Sequence, residues 1–352
     1  MFKQTRFKTE TRKLNLEERC MKTTRKVALL LSIVMALSLI AGCAKTAKSA
    51  RLKVEGKTVK MDSIMTIDGE AVSLDLYRYY YYIIKNNYDQ GDESYWTENA
   101  DAQQKLKDDV LNNLKSVVAI KTLAEANGVA LTDDDMQTVE DQVDATIDQL
   151  GGYSAYVEAL EAQYMTDEVY RQLMENDLRS NALYAKLYGK GGEYELSESE
   201  MKEIIASDYI RAKHVLIAKT TENAAEIEEE VRQKAAAGED FDELIAEYNE
   251  DPGMTNSPDG YYFTDGQMVS EFEQAAKALD EDGGISGVVE TDYGYHIIQR
   301  LPLDMDYVDE NISDLLTSHQ QFRYNQFISE SMEDQEISFN EYYDRVSFET
   351  LS

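Results

Sequence analysis

The chain has 352 residues, with 35 Lys or Arg against 68 Asp or Glu and a formal net charge of −33. This length predicts two or three domains, and a hydrophobic content of 43% excludes an intrinsically disordered chain. The acidic surface argues against nucleic acid as a partner, because phosphate binding needs clustered Lys and Arg, and three His with two Cys leave little material for a metal site or a disulfide framework.

The start of the chain has the pattern of a bacterial export signal. A basic stretch precedes the apolar run Val27–Ala41, which is shorter than the roughly 20 residues that a membrane-spanning helix needs. A basic start, a short apolar run and small residues at its end are typical of a secretory signal peptide, which we assign to residues 1–42. Met21 begins a more typical signal than Met1 does, so residues 1–20 are a candidate for a misassigned upstream start.

The signal ends in Ile40-Ala41-Gly42-Cys43, which resembles the lipobox of bacterial lipoproteins. The resemblance implies cleavage before Cys43, lipidation of its thiol and anchorage of the mature chain to a membrane. A plain signal peptide with an incidental cysteine is the alternative. Nine basic and three acidic residues leave with residues 1–42, so the mature chain would carry a net charge of about −39. With Cys20 removed and Cys43 lipidated, neither a disulfide nor cysteine catalysis is available.

Residues 43–60 lack apolar periodicity and are interpreted as a lipid-anchored tether. The basic side chains of this segment suit two settings. In one they lie against anionic lipid, and in the other they belong to a merely soluble spacer.

Residues 61–205 are predicted to form a helical domain, which begins with a short apolar strand and the turn Ile67-Asp68-Gly69-Glu70. Apolar residues then recur at helical spacing, and Thr132 and Ser197 are placed as helix N-caps. The region contains no nucleophile–base constellation and no metal-ligand spacing. The predicted helices cover residues 73–88, 99–127, 132–150, 166–188 and 197–209.

Five tyrosines fall in the first of these helices. They are Tyr77, Tyr79, Tyr80, Tyr81 and Tyr82. One interpretation of this tyrosine cluster is core packing with some exposed phenols. The other is a cradle for unfolded chains, since tyrosine offers a large amphipathic contact area at low entropic cost.

Residues 206–302 change in character to an α+β pattern. An irregular loop at 249–260 separates the second helix from the second strand, and Ser270 with Glu273 can cap the third helix. The last strand is apolar enough to be central in a sheet. The order β-α-α-β-α-β-β predicts helices packed on an antiparallel sheet. These elements are predicted at 211–218, 223–237, 240–248, 261–263, 270–279, 285–290 and 293–300.

The C-terminal segment, 303–352, is predicted to form a helix from Val308 to Met332, followed by a short tail. Phe322, Phe327 and Ile328 on this helix are candidates to pack onto the N-terminal helices.

Four segments of residues 206–302 carry a recognisable pattern. They are Arg211-Ala212-Lys213-His214-Val215-Leu216-Ile217, Gly238-Glu239-Asp240-Phe241, Gly266-Gln267-Met268-Val269-Ser270-Glu271-Phe272 and Thr291-Asp292-Tyr293-Gly294-Tyr295-His296-Ile297-Ile298. In this order they resemble the parvulin peptidyl-prolyl cis-trans isomerases. The layout of the whole chain resembles the PrsA and SurA group of extracytoplasmic foldases. The resemblance implies an α+β fold, in which a parvulin domain at 206–302 is inserted in an all-α chaperone module built from 61–205 and 303–352, with the C-terminal segment packed on the chaperone domain.

The resemblance also implies roles for individual residues. Met268 and Phe272 match the residues that bind the proline ring, and ordinary core packing is the alternative. His214 and His296 match a pair of imidazoles beneath this pocket. They are expected to form a hydrogen-bonded pair that fixes the pocket and its tautomers rather than to transfer a proton.

Asp251 aligns with a position where parvulins carry Cys or Asp near the rotating bond. A carboxylate there would either interact with the polarised amide or tune the imidazoles, and an acidic loop residue is the simpler alternative. Thr291 matches a hydroxyl of the same hydrogen-bond network. The reaction needs neither a metal nor another cofactor, and none is expected.

In one place the chain departs from the family pattern. Many parvulins have Gly-Gly-Asp-Leu-Gly where this chain has Ser257-Pro258-Asp259-Gly260-Tyr261, so Gly260 stands where a leucine helps to wall the pocket. Tyr261 or Tyr262 is a candidate to fill the gap. No extended basic patch lies near this loop, which argues against a preference for phosphorylated Ser or Thr before proline.

Together these features predict a peptidyl-prolyl isomerase that is also a chaperone. Its partners would be unfolded or partly folded secreted polypeptides, and a lipid anchor would hold it at the outer face of the cell membrane of a Gram-positive bacterium. One alternative is a holdase chaperone whose parvulin domain has little or no turnover, which the altered loop would explain. Another, of a different class, is a solute-binding lipoprotein or a cell-wall scaffold.

Overall fold

A computed structural model describes residues 47–99 and 101–352 of the chain. The segment assigned as a signal peptide and the predicted lipidation site, Cys43, lie outside these residues. Within the described part of the chain, no helix has both the length and the apolar character needed to cross a bilayer.

The polypeptide divides into two compact units. The first unit contains the described residues up to Leu114, together with Leu131–Asn176 and Glu336–Ser352. The second unit contains Lys115–Ala130 and Asp177–Gln335. The second unit therefore holds the sheet predicted at 206–302 together with the helices that flank it in the sequence.

The predicted helices are present, with ends that differ by a few residues, and the predicted combination of a mixed α+β domain with a helical module is confirmed. The helices are α1 (Leu74–Asp89), α2 (Tyr95–Glu98), α3 (Ala102–Ala126), α4 (Asp133–Gln149), α5 (Tyr153–Ala162), α6 (Asp167–Tyr188), α7 (Glu198–Asp208), α8 (Ala224–Ala236), α9 (Phe241–Tyr248), α10 (Pro252–Asn256), α11 (Ser270–Lys277) and α12 (Met305–Glu333). The strands are β1 (Leu52–Val54), β2 (Lys57–Val59), β3 (Met65–Ile67), β4 (Glu70–Val72), β5 (Ile210–Ala218), β6 (Tyr261–Phe263), β7 (Val289–Glu290), β8 (Gly294–Leu301) and β9 (Ile337–Phe339).

Two helices begin with the predicted capping chemistry. The Ser197 hydroxyl accepts from the Glu200 backbone N–H, and the Glu200 carboxylate accepts from the Ser197 N–H. Thr132 and Asp135 make the same reciprocal pair at the start of α4. The sequence does not predict α5, because the pair Gly151-Gly152 indicates a break. The chain does break there, but the second glycine then serves as the N-cap of a new helix.

The interpretation of residues 43–60 as a tether is wrong for its second half. Strands β1 and β2 pair as an antiparallel hairpin, in which Leu52 is fully buried. Leu52 forms a bridge with Leu351, and backbone hydrogen bonds join Arg51 to Ser352 in both directions. The hairpin turns at Glu55 and Gly56, which both have positive φ, and the contact of Arg51 with Ser352 beside it joins residues 301 positions apart.

The segment after α12 also belongs to the first unit and is more than a short tail. Strand β9 pairs antiparallel with β3, which completes a three-stranded sheet of order β4-β3-β9. A three-residue strand carries little signal of its own, and its place is set by the free edge of β3.

The tyrosine cluster of α1 packs in the core of the first unit. Tyr77 and Tyr81 are 0% and 3% exposed, and the Tyr77 ring meets the Tyr343 ring edge to face at a centroid distance of 5.9 Å. The Tyr82 hydroxyl donates a hydrogen bond of 2.7 Å to the Leu351 carbonyl oxygen. Of the two interpretations of this cluster, the contacts favour core packing.

In the second unit, residues 210–301 form an antiparallel sheet of order β6-β5-β8-β7. The long strands β5 and β8 are central, as the sequence predicts for the apolar last strand. Side chains alternate between the two faces of a strand. Val215 and Ile297 accordingly pack with α8 and α9 on one face, whereas Ala212 and Ile298 pack with α11 on the other. The predicted order β-α-α-β-α-β-β is present, with α10 added in the irregular loop.

Two local predictions in this sheet are wrong. The strand predicted at 285–290 is reduced to β7 and an isolated antiparallel bridge between Ile285 and Gln299, and between these two the Ser286 hydroxyl accepts from the Ile298 backbone N–H. Ser270 is not the cap of α11. Val269 takes the N-cap position, and Ser270 is the first residue of the helix.

Helix α12 packs within the second unit at two places. Its first half lies against α7, and Ile328 and Phe327 in its second half pack against the C-terminal ends of α3 and α6. Phe322 lies elsewhere than predicted, beside the turn before α11. A Cβ placed on Gly266 in that turn would be 3.3 Å from Phe322 Cζ.

Candidate active site

Two adjacent central strands bring His214 and His296 together. His214 lies on β5 and His296 on β8, in diagonal positions of the ladder. Both side chains lie on the face of the sheet that α11 covers. Side chains alternate between the two faces of a strand, and Val215 and Ile297, which adjoin the two histidines in sequence, pack on the opposite face. The two Nδ1 atoms are 3.1 Å apart, and the two residues are 5% and 4% exposed.

Asp251 and Thr291 extend the histidine pair into a chain of four side chains. Asp251 Oδ2 lies 2.8 Å from His214 Nε2, and Thr291 Oγ1 lies 2.8 Å from His296 Nε2. Asp251 reaches this position as the N-cap of α10, where its Oδ1 accepts from the Gly253 N–H at 2.8 Å. The structure therefore brings together all four polar residues that the sequence singles out.

The hydrogen bonds of this chain have one consistent orientation. An ionised carboxylate only accepts, so the His214 Nε2–H donates to Asp251 and His214 Nδ1 remains an acceptor. The His296 Nδ1–H therefore donates to His214, and the Thr291 hydroxyl donates to His296 Nε2. Both imidazoles are neutral in this arrangement, and every ring nitrogen has a partner.

Burial and hydrogen bonding favour these protonation states. Burial lowers the pKa of His296 to about 4, and the neighbouring His214 adds to the effect. Burial also lowers the pKa of His214, although Asp251 opposes it. For Asp251 itself, burial raises the pKa, but hydrogen bonds from Tyr261, Gly253 and His214 together outweigh burial and hold this pKa below its ordinary value. Neutral imidazoles beside an ionised carboxylate follow at neutral pH.

Phe272 covers both imidazoles with an apolar surface. Its ring meets His214 edge to face at a centroid distance of 5.2 Å and His296 at 5.6 Å, and the residue is 3% exposed. Phe272 lies in the first turn of α11, and Met268 just before this helix is partly buried against the same cluster. On the loop side, Met254 Sδ accepts from the His214 backbone N–H at 3.4 Å.

The altered loop before β6 supplies a site residue that the family pattern does not assign. Gly260 has φ of +91°, and a Cβ there would lie 3.0 Å from the Ala212 carbonyl oxygen, so a leucine would be both strained and crowded. Tyr261 enters the site instead, and its hydroxyl donates to Asp251 Oδ2 at 2.7 Å. Tyr262 points elsewhere and stacks on a tyrosine of α12. The sequence indicates that one of these tyrosines fills the gap but does not distinguish them.

The arrangement suits a reaction that breaks no covalent bond. A hydroxyl linked through histidine to a carboxylate can serve as a nucleophile elsewhere, but Thr291 is 4% exposed and presents no hydroxyl to an incoming substrate. What the site does offer is the partly buried Met268 beside the buried Phe272, with the two neutral imidazoles beneath them. Such apolar surroundings favour a less dipolar species over a more dipolar one.

Two family models match the chain. One is the PPIC-type PPIase domain over residues 210–301, and the other is the SurA-like N-terminal domain over residues 19–184. Relatives include the foldase protein PrsA of Geobacillus kaustophilus, which is 32% identical over 197 residues, and that of Bacillus subtilis, which is 28% identical over 206 residues. These alignments cover 55% and 57% of this chain and 66% and 65% of the relatives, so the chain matches just under two thirds of their length.

Solved structures of related proteins are similar in part. The crystal structure of the peptidylprolyl isomerase PrsA from Bacillus anthracis is 22% identical and covers 62% of this chain and 94% of that one, with a TM-score of 0.36. The solution structure of NmPin, the parvulin of Nitrosopumilus maritimus, is 33% identical and covers 27% of this chain and 98% of that one, with a TM-score of 0.24. Because both scores are below 0.5, the assignment rests on the sequence matches. The chain therefore contains a PPIC-type PPIase domain at 210–301 and a SurA-like N-terminal domain at 19–184, and it is similar to foldase proteins named PrsA.

Proposed function

We propose that the chain catalyses cis–trans isomerisation of peptide bonds that precede proline, and that it assists the folding of secreted polypeptides as a chaperone. The observation that carries the catalytic part is the hydrogen-bonded chain of Asp251, His214, His296 and Thr291 beneath the apolar surface of Phe272. The match to the isomerase family model over the same residues supports it.

Isomerisation of a peptide bond before proline requires little more than an apolar surface that binds the rotated amide. Rotation about a peptide C–N bond has a barrier of about 18–20 kcal/mol, because the resonance of the planar amide is lost. The cis and trans forms before proline are close in energy, so uncatalysed exchange takes tens to hundreds of seconds. A catalyst must bind the rotated amide more tightly than either planar form. A dry apolar surface does this, because the rotated amide is less dipolar than the planar one.

Each site residue has a place in this scheme. Met268 and Phe272 hold the proline ring, and the neutral histidine pair forms the floor beneath it. Asp251 acts on the imidazoles rather than on the substrate amide, since three protein donors already lie within 2.8 Å of its two oxygens.

A catalytically weak holdase is the second candidate function. The observation that favours it is the altered loop, in which Gly260 and Tyr261 replace the pocket wall common in parvulins. The two functions differ in one measurable property, which is turnover of a proline peptide.

The full chain is expected to accelerate cis–trans exchange of a short Ala-Pro peptide, followed by NMR exchange spectroscopy. Met268→Ala and His214→Ala should each lower kcat/KM by about tenfold or more, a loss of about 1.4 kcal/mol or more in transition-state stabilisation. His319→Gln is the matched control. It removes the third histidine, which is bonded to Tyr209 at 2.9 Å rather than to the site, and it should keep the rate.

A folded chain that does not accelerate the exchange would contradict the proposed isomerase function and favour the holdase function. The chaperone part has a separate measurement, the light scattering of an aggregating unfolded protein. The His214→Ala chain should suppress this aggregation as well as the wild type does, because the change leaves the helical module untouched. Loss of suppression in this variant would show that the two activities share a site.

We also propose that the mature chain is held at the outer face of the cell membrane of a Gram-positive bacterium by a lipid on Cys43, and that residues 61–205 and 303–352 contribute to a chaperone module. The export-signal pattern of residues 1–42 and the lipobox-like segment support the anchor. Mass spectrometry of the membrane fraction should find an N-terminal peptide that begins at a diacylated Cys43. The Cys43→Ala chain should lack this lipid, and an unmodified Cys43 in the wild type would contradict the proposal.

A further inference from the structure

Tyr261 joins the apolar and polar halves of the candidate site. Its ring packs with Met268 against the buried cluster that contains Phe272. The same ring meets the His214 ring edge to face, with centroids 5.7 Å apart and planes at 85°. Its hydroxyl donates to Asp251 Oδ2 at 2.7 Å. One side chain thus contacts an imidazole, the carboxylate that holds this imidazole, and the pocket wall.

Two glycines leave room for this side chain. A Cβ on Gly253 would lie 2.1 Å from the Tyr261 hydroxyl oxygen, so any other residue there would displace the hydroxyl. Gly260, with its positive φ, directs the chain past Ala212 without a side chain of its own. The phenol therefore occupies space that its two neighbours in the loop leave empty.

Three protein donors hold the Asp251 carboxylate. The Gly253 N–H donates to Oδ1, while the His214 Nε2–H and the Tyr261 hydroxyl both donate to Oδ2. Burial raises the pKa of Asp251, and the hydrogen bond from Tyr261 is the largest single cause that lowers it. Burial and the carboxylate raise the pKa of Tyr261 far above its ordinary value, so the phenol stays protonated and remains a donor.

We propose that Tyr261 is a positioning residue of the isomerase site, which holds the Asp251 carboxylate against His214 and thereby sets the tautomers of the histidine pair. The effect of Tyr261 on rate rests on the proposed isomerase function. Its effect on the histidines does not depend on turnover. Tyr261 acts through Asp251 and needs no contact with the substrate.

The direction in which loss of the Tyr261 hydroxyl shifts the pH dependence follows from the hydrogen-bond donors to Asp251. Without the Tyr261 hydroxyl, the half-buried carboxylate keeps two donors, and its pKa rises. At acidic pH the carboxyl group is then protonated earlier and becomes a donor to His214 Nε2. The ring hydrogen of His214 must then move from Nε2 to Nδ1, and that of His296 from Nδ1 to Nε2. Every hydrogen bond from Asp251 to Thr291 thereby exchanges its donor and its acceptor. Any property that needs the original orientation is lost on acidification, and this loss, the acid limb of its pH profile, therefore moves to higher pH.

The test compares the full wild-type chain with Tyr261→Phe, which keeps the ring and loses the hydroxyl. Tyr262→Phe is the matched control, because its hydroxyl lies 3.5 Å from the Asp304 carbonyl oxygen and not at the site. Proton–nitrogen NMR spectra of the histidine rings, recorded between about pH 4 and 8, report the tautomers, and Ala-Pro exchange reports the rate. Tyr261→Phe should move the acid limb of both by about one pH unit to higher pH. The control should leave both unchanged.

Identical histidine spectra and an identical acid limb in Tyr261→Phe and the wild type would overturn the proposal. If no chain shows turnover, the proposed isomerase function fails, but the histidine spectra still decide the role of Tyr261. If Tyr261→Phe does not fold, Gly253→Ala provides the second test. Its Cβ would lie 2.1 Å from the hydroxyl and 3.1 Å from both carboxylate oxygens, so it separates the pair, and the same shift is expected.

Discussion

Replacement of Phe272 by alanine is expected to lower the free energy of unfolding of the second unit by about 3–5 kcal/mol and to abolish isomerase activity. The ring is 3% exposed and packs edge to face on both His214 and His296. Alanine would leave a cavity where the apolar cover of the imidazoles now lies, and water could reach the hydrogen-bonded chain. Denaturant unfolding followed by circular dichroism measures the first effect, and Ala-Pro exchange at low denaturant measures the second.

Two further variants separate stability from activity. Val269→Ala is the control, because Val269 is 38% exposed and adjoins α11, and its effect should stay within about 0.5 kcal/mol. Phe272→Leu keeps much of the apolar volume, so it should be less destabilised than Phe272→Ala while still losing activity, since it lacks the flat ring that covers both imidazoles. A folded Phe272→Ala chain with wild-type exchange would exclude Phe272 from the pocket.

Asp89→Asn is expected to destabilise the first unit by about 3–5 kcal/mol, because it leaves the buried Lys85 ammonium without its partner charge. Lys85 and Asp89 are 9% and 4% exposed and form an ion pair within α1. The Lys85 ammonium lies 5.8 Å from the Trp96 ring centroid and 5.2 Å from that of Phe348. The Trp96 Nε1–H also donates to Asp89 at 2.8 Å. Trp96 is the single tryptophan of the sequence, so its fluorescence during denaturant titration reports this unit.

The control for this variant is Asp101→Asn, an exposed acidic residue just before α3, which should shift the unfolding midpoint little. The double variant Lys85→Met with Asp89→Asn should recover much of the loss, because it removes the unpaired charge. An Asp89→Asn chain within about 1 kcal/mol of the wild type would show that Lys85 finds water in its place.

The elements of residues 210–301 are predictable because local signals agree with the tertiary packing. Strand β5 alternates between two apolar clusters, α9 begins at the Asp240 cap, and β8 is apolar enough to be central. The secondary structure of such a segment can be predicted because its local conformational preferences agree with the tertiary fold. The same holds for α7, which begins at the predicted N-cap Ser197, where Ser197 and Glu200 form a capping box.

Other elements are not predictable from local pattern. The β1–β2 hairpin and β9 are built from three-residue strands. The hairpin strands pair with each other, but Leu52 also forms a bridge with Leu351, and β9 pairs with the distant strand β3. Ser270 fails as a predicted cap because the turn before α11 places Val269 there. In each case a distant or backbone-level constraint outweighs the local signal.

The candidate site residues could be named from the sequence alone, since His214, His296, Asp251 and Thr291 stand at recognisable positions of a family pattern. The tertiary structure decided how they are connected. The diagonal register of β5 and β8 sets the 3.1 Å contact between the imidazoles, and the cap of α10 turns the carboxylate toward one of them. It also decided that Tyr261, and not its neighbour, enters the site. The physical reason is that side-chain type is local, whereas the distance between side chains from separate elements depends on register and on backbone turns.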